Sequence, residues 1–185
     1  MQLLLERRAS PIGAMLLVCD ESAHIRALDF ADFESRMHRI LRLHYGDYDL
    51  RDAPTPAPIT HALDAYFAGD LHAIDDVKVR TRGTEFQRAV WQGLRAIPPG
   101  NTASYGKLAT TIGHANAIRA VGRANGANPV AIVVPCHRVI GADGTLTGYA
   151  GGLRRKQWLL DHEQRNTKER IFFFEKKKQK TFALG

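Results

Sequence analysis

The chain has 185 residues, 44% hydrophobic and 24% charged, which excludes a wholly disordered polymer and leaves room for one large domain or two small ones. No apolar run approaches the roughly 18 residues of a membrane span, and the opening stretch lacks the long apolar core of a secretory signal, so the cytoplasm is the expected compartment and no membrane partner is expected. The 2 cysteines, Cys19 and Cys136, are too few for a disulfide framework and read as free thiols. The net charge of +7 is unevenly spread. Residues 1–80 carry 9 basic against 13 acidic side chains, residues 81–163 carry 10 against 4, and residues 164–185 carry 7 against 2. An acidic first part and a basic second part suggest two modules, the second facing a polyanion; an ordinary solvated surface is the alternative.

In chain order, residues 2–8, 14–19 and 25–30 are short apolar or alternating runs separated by turn residues, and read as three strands. Phe33, Met37, Ile40 and Leu41 recur at helical spacing, which predicts a helix over residues 32–44. Three prolines make 52–58 an irregular connection. Ile59, Leu63, Tyr66 and Phe67 mark a second helix that stops near Gly69, and the polar stretch 70–83 places the module boundary. Thr84-Glu85-Phe86-Gln87 is a capping box opening a third helix through Phe86, Val90, Leu94 and Ile97, ended by Pro98-Pro99-Gly100. Ser104 caps a short helix over 105–112, and after a tight turn another fits 116–125. This pair matches a helix-turn-helix, or equally a plain helical hairpin. Residues 130–134 are all apolar and predict a buried strand or extended core segment. A last helix fits 153–162.

Chemistry concentrates where that run delivers Pro135-Cys136-His137-Arg138. A thiol becomes a useful nucleophile when a cation, a base or a helix N-terminus stabilises its thiolate. His137 is a candidate base, but neighbours on an extended backbone point to opposite sides, so a bridging water is the simpler geometry. A buried structural cysteine beside an unrelated histidine is the bland alternative for a bare Cys-His pair.

The longer string Ile132-Val133-Val134-Pro135-Cys136-His137-Arg138-Val139-Ile140-Gly141 resembles the active-site signature of the O6-alkylguanine–DNA alkyltransferases, suicide DNA-repair proteins. The resemblance runs forward through Gly148-Tyr149-Ala150-Gly151-Gly152 to Lys156-Gln157-Trp158-Leu159-Leu160 and His162-Glu163. It runs back through Asn125-Gly126-Ala127-Asn128-Pro129, Arg119-Ala120-Val121-Gly122, Ser104-Tyr105-Gly106 and Phe86-Gln87-Arg88-Ala89-Val90-Trp91. It is strong over about 84–163 and looser before, through Ser10-Pro11-Ile12-Gly13 and Tyr66-Phe67-Ala68-Gly69.

The resemblance implies an α+β fold: a ribonuclease-H-like N-terminal domain (1–80) and a mostly helical helix-turn-helix, winged-helix-like catalytic domain (81–163). It implies irreversible transfer of the alkyl group of O6-alkylguanine, and of O4-alkylthymine, to Cys136. His137 would be the water-mediated base, Glu163 its carboxylate partner, and Asn128 the buttress of the nucleophile's turn. Tyr105 would donate toward guanine N3, and Arg119 would fill the gap left by a flipped base. Val139, Tyr149, Ala150 and Gly151 would line the guanine site. Ala120 and Arg123, with Arg119, would lie on the helix that meets double-stranded DNA in its minor groove.

Two departures stand out. Position 150 is Ala where several members have Ser, which removes a hydroxyl contact to guanine O6. Cys19, His24, His38, His44, His61 and His72 form no recognisable ligand set, so no metal and no cofactor is expected. The implied protein acts as a monomer. Three rivals remain at this point: a lesion-binding relative without activity, which Cys136 opposes; a helix-turn-helix regulator, which lacks a sensor domain; and a turnover cysteine hydrolase. Residues 164–185 match nothing and read as a frayed or non-native tail.

Overall fold

The computed structural model describes residues 1–182, with side chains described through Phe172. Strands β1 (Gln2–Arg8), β2 (Met15–Cys19), β3 (Ile25–Phe30) and β4 (Asp49–Asp52) form one sheet in the order β3-β2-β1-β4. β1–β2 and β2–β3 pair antiparallel, and β4 joins β1 in parallel. Every residue of β2 and β3 is buried, because both sheet faces are covered. On one face Leu3, Leu5, Leu16, Val18 and Ala27 meet Met37 and Leu41 of helix α1 (Glu34–Tyr45). On the other, Met15, Leu17, Ile25, Leu28 and Phe30 enter a cluster that continues into the second half of the chain.

Helix α2 (Ala57–Phe67) contributes Ile59, Leu63 and Tyr66 to that cluster, and α3 (Glu85–Arg95) contributes Val90, Trp91 and Leu94. The capping box at Thr84 and Gln87 forms as the sequence predicts. The two-residue strand β5 (Ala103–Ser104) leads into α4 (Tyr105–Thr111), whose Lys107 amide bonds the Ser104 hydroxyl. α5 (Ile118–Gly126) follows after a turn closed by His114 N–H to Ala109 O (2.8 Å). It starts two residues later than the periodicity predicts, because Ala117 N–H turns back to His114 O. Strand β6 (Val139–Ile140) pairs parallel with β5, and α6 begins at Leu153.

Three sequence expectations are corrected. Residues 130–134 form a buried coil rather than a strand. Val134 N–H returns to Val130 O, Val133 N–H to Ala131 O, and Ile132 sits at φ +67°. An apolar run buried on all sides has no period, so composition does not separate strand from coil. The run meets β3 at Leu28, which bridges to Val130 and whose carbonyl accepts from Ala131 N–H (2.9 Å). β4 is absent from the sequence reading because Asp49-Leu50-Arg51-Asp52 is a mostly exposed polar edge with no apolar alternation.

The last helix does not end at Glu163: α6 runs from Leu153 to Phe182. Neither proline nor glycine interrupts 164–182, so nothing in the sequence stops the helix there. Its first turns past Glu163 are packed. A Cβ on Gly69 (φ +107°) would lie 2.4 Å from the Asn166 side chain, and one on Gly100 (φ +77°) 2.5 Å from Thr167. Both turns therefore require glycine for conformation and for space. Thus a frayed tail is not what the structure places over 164–182; residues 183–185 of that segment lie outside the described residues.

Candidate active site

Cys136, His137 and Arg138 form a single 3-10 turn at the end of the buried coil. Cys136 is only 5% exposed. The turn, not an extended backbone, sets the relation between the thiol and the imidazole. Asn128 builds the coil above it. Its Nδ2 donates to Val134 O (2.8 Å), to Val130 O (3.3 Å) and to Cys136 Sγ (3.1 Å), while Oδ1 accepts from Val130 N–H (3.0 Å). Burial pushes the Cys136 thiol above its usual range, and the Asn128 donor, Arg36 and Lys156 pull the other way.

His137 is completely buried. Its Nε2 lies 2.9 Å from Glu163 Oε1, and because a carboxylate only accepts, that nitrogen carries the proton. Nδ1 is left with a lone pair, and it is buried without a hydrogen-bond partner among the described residues. Burial holds the imidazole below its ordinary value, opposed by Glu163. Burial alone would raise the Glu163 carboxyl. His137 and Arg138 outweigh it and keep the group well below the carboxylate range, so it is ionised.

Arg138 supplies the compensating cation. Its Nη2 and Nε reach Glu163 Oε1 at 2.8 and 3.2 Å, Nε reaches Oε2 at 3.0 Å, and Nη1 bonds Ile97 O at 2.6 Å. Glu163 also accepts from Tyr66 OH (2.9 Å) and from Gly100 N–H (3.1 Å). A buried carboxylate with this many donors is a fixed negative pole rather than a titrating group.

The loop after β6 closes over this turn. Tyr149 has a buried hydroxyl with no hydrogen-bond partner among the described residues, and its ring stands edge-on to His137 at 6.5 Å. A Cβ on Gly151 would lie 2.6 Å from Phe30 and 2.8 Å from Tyr149, so only glycine lets the loop sit on β3. Arg155 locks it there: its guanidinium stacks 4.2 Å from the Phe30 ring and bonds Gly151 O, Asp32 and Ile12 O. Val139 is buried and Ala150 half-buried beside this loop.

The structure thus brings Cys136, His137, Glu163, Asn128 and Tyr149 into one buried cluster. Tyr105 stands half-buried at the start of α4, its hydroxyl accepting from Thr147 Oγ1 (3.3 Å). Arg119 and Arg123 are exposed on α5, with Ala120 half-buried between them. These three belong to the outer surface of the helix pair, not to the buried network.

Sequence reasoning missed four groups that hold the site. Lys156 is fully buried, and its ammonium donates to Val139 O and Thr147 O, both at 2.6 Å, tying β6 to the loop. A lysine between Leu153 and Leu159 on the apolar face of a helix was an available signal. Arg36 of α1 pairs with Asp29 and donates to Gly126 O (3.1 Å) and Asn128 O (2.9 Å). Arg138 and Tyr66 carry no periodicity that separates them from ordinary core or surface residues.

A family model described as the ribonuclease-like domain of 6-O-methylguanine DNA methyltransferase matches residues 6–81, and one described as its DNA binding domain matches residues 85–165. The methylated-DNA–protein-cysteine methyltransferase of Salmonella typhimurium is 52% identical over 165 residues, covering 88% of this chain and 96% of its own. The crystal structure of Mycobacterium tuberculosis O6-methylguanine methyltransferase superposes with a TM-score of 0.71 at 40% identity, covering 89% of this chain and 93% of the other. A structure of the M. tuberculosis protein in complex with DNA gives a TM-score of 0.74 at 39% identity, covering 90% and 94%. With both halves matched in order and a relative this similar along nearly its whole length, the chain belongs to the 6-O-methylguanine DNA methyltransferase family.

Proposed function

We propose that the protein repairs DNA by moving the alkyl group of O6-alkylguanine irreversibly onto Cys136. The observation that carries this is the polar chain behind the thiol: Cys136 Sγ held by Asn128, and His137 with its proton fixed toward Glu163 and its free lone pair on Nδ1. That tautomer is the one a base needs. His137 takes the thiol proton through a water, and the sulfur attacks the alkyl carbon. The S–C bond forms as the C–O6 bond breaks. The leaving guanine oxyanion is neutralised by a proton, with Tyr105 donating toward N3. The product is a thioether, which no group in the site can cleave, so each molecule acts once. The same displacement suits O4-alkylthymine.

Duplex DNA is the substrate in this reading, in keeping with the DNA complex of the M. tuberculosis relative. The helix pair α4–α5 would meet it through the minor groove, where Ala120 and Gly122 permit close approach and Arg119 takes the place of the extruded base. Arg123 would contact the phosphate backbone. Backbone groups at Val139, Ala150 and Gly151, with Tyr149, would receive the guanine. The protein would act as a monomer in the cytoplasm; no helix among the described residues is long and apolar enough to cross a membrane.

The test counts methyl groups moved from labelled duplex DNA to protein. About one per molecule is expected for the native chain and none for Cys136→Ser, which retains DNA binding because a neutral hydroxyl is a poor nucleophile but the phosphate contacts lie elsewhere. Transfer by Cys136→Ser, or repeated turnover, would overturn the assignment.

A further inference from the structure

Tyr66 closes α2 in the N-terminal domain and is one of the largest fully buried side chains of the molecule. Both ends of it are held by consecutive residues of α6. Its carbonyl accepts from His162 Nε2 (2.8 Å), and its hydroxyl donates to Glu163 Oε1 (2.9 Å). Its ring packs edge-on to His162 and to Phe67, at 5.4 and 5.5 Å. A buried tyrosine hydroxyl usually finds an acceptor. Here the acceptor is the very oxygen that takes His137 Nε2–H.

We infer that Tyr66 is a positioning residue for the alkyl transfer, through which the N-terminal domain adjusts the basicity of His137. The inference rests on the reading of Cys136 and His137 given above. Glu163 Oε1 shares its lone pairs among Tyr66, His137 and Arg138. Each donor draws charge from the carboxylate and weakens its pull on the imidazole. Without the Tyr66 hydroxyl, Oε1 holds more charge, binds Nε2–H more strongly and stabilises the imidazolium. His137 then takes a proton on Nδ1 at higher pH, and the base is lost there.

The other groups facing the pair are Arg138 in the same turn, Lys156 from α6, and Tyr149 and Cys136 beside the ring. None of them hydrogen-bonds the Tyr66 hydroxyl among the described residues, so Tyr66→Phe removes none of their hydrogen bonds.

The experiment measures the single-turnover rate of methyl transfer against pH for the native chain and for Tyr66→Phe. The rate falls on the acid side as His137 protonates. In Tyr66→Phe this limb moves to higher pH by about half to one unit, which slows transfer roughly three- to tenfold on the limb and leaves the upper plateau within about twofold. The His137 ring resonance in the NMR spectrum, followed against pH, moves by the same amount. Superimposable profiles overturn the inference. So does a rate reduced by one factor at every pH, which is what loss of packing alone produces.

If Tyr66→Phe fails to fold, a ring-fluorinated tyrosine at the same position keeps the shape and donates more strongly. It moves the acid limb to lower pH, and no movement overturns the inference. Failure of the underlying reading is separable: it shows as transfer that survives Cys136→Ser, whatever Tyr66 does.

Discussion

Asn128→Ala is the sharpest probe of how the site is built. The side chain is 2% exposed and satisfies the coil that presents Cys136. Its loss does not orphan all of its partners equally. Val134 O keeps the Cys136 N–H (2.8 Å), and Val130 O keeps the Val134 N–H (3.0 Å). Val130 N–H, whose acceptor was Asn128 Oδ1, is left buried and unpaired. One orphaned buried amide costs about 1–3 kcal/mol, and two carbonyls that each lose their second donor add a smaller amount. A total loss of about 2–4 kcal/mol follows, or roughly 5–15 °C in Tm for a chain of this size. The thiol responds as well: without the Nδ2 donor, burial pushes Cys136 still higher, and alkylation by iodoacetamide at neutral pH slows. Calorimetry and the pH dependence of alkylation check the two effects. A variant within about 1 kcal/mol of the native chain, with unchanged thiol reactivity, would show that something other than Asn128 holds the turn.

Arg119→Ala slows repair of duplex DNA far more than reaction with free O6-benzylguanine, since a finger residue assists base extrusion and the free base skips that step; equal slowing on both refutes the role. Acid titration followed by denaturant unfolding shows stability falling as pH drops below about 6.5, because unfolded His137 and His44 bind protons that burial denies them in the fold. Glu163, held low, adds a further loss below about pH 4.3, so a flat profile from pH 7 to 4 contradicts the buried network. Truncation after Glu163 uncovers Gly69 and Gly100 and lowers Tm, whereas truncation after Phe172 leaves the repair rate at physiological salt unchanged; the reverse order of effects would mean that the outer helix does the holding.

The first three strands, the capping box and the helix pair were legible because each has its own period or cap. Cys136, His137, Asn128 and Glu163 were legible only through a long signature. Taken singly, a thiol beside an imidazole or a glutamate near a helix end has no period to read. The groups that were missed have two physical reasons. Lys156 and Arg36 act through backbone carbonyls of Val139 and Asn128, and a carbonyl acceptor leaves no trace in residue type. Arg138 and Tyr66 act on Glu163, a partner 25 and 97 residues away in the chain. The end of α6 was misplaced for a different reason: the resemblance stops at Glu163, but the polar segment beyond it carries no stop signal.

Charge divides the sequence near residue 80, yet the site does not divide there. From β3, Phe30 supports Gly151 in the loop over the thiol. From α1, Arg36 holds the carbonyls of Gly126 and Asn128, where the nucleophile's coil begins. From α2, Tyr66 reaches the carboxylate that orients His137. Three elements of the acidic half thus each meet a different part of the network around Cys136 in the basic half, and one apolar cluster runs through both. Through β3, α1 and α2 the N-terminal half fixes the loop, the coil and the carboxylate facing His137, on which the proposed reaction depends. A catalytic half cut from it would keep Cys136 and His137 in sequence while losing what holds them in register.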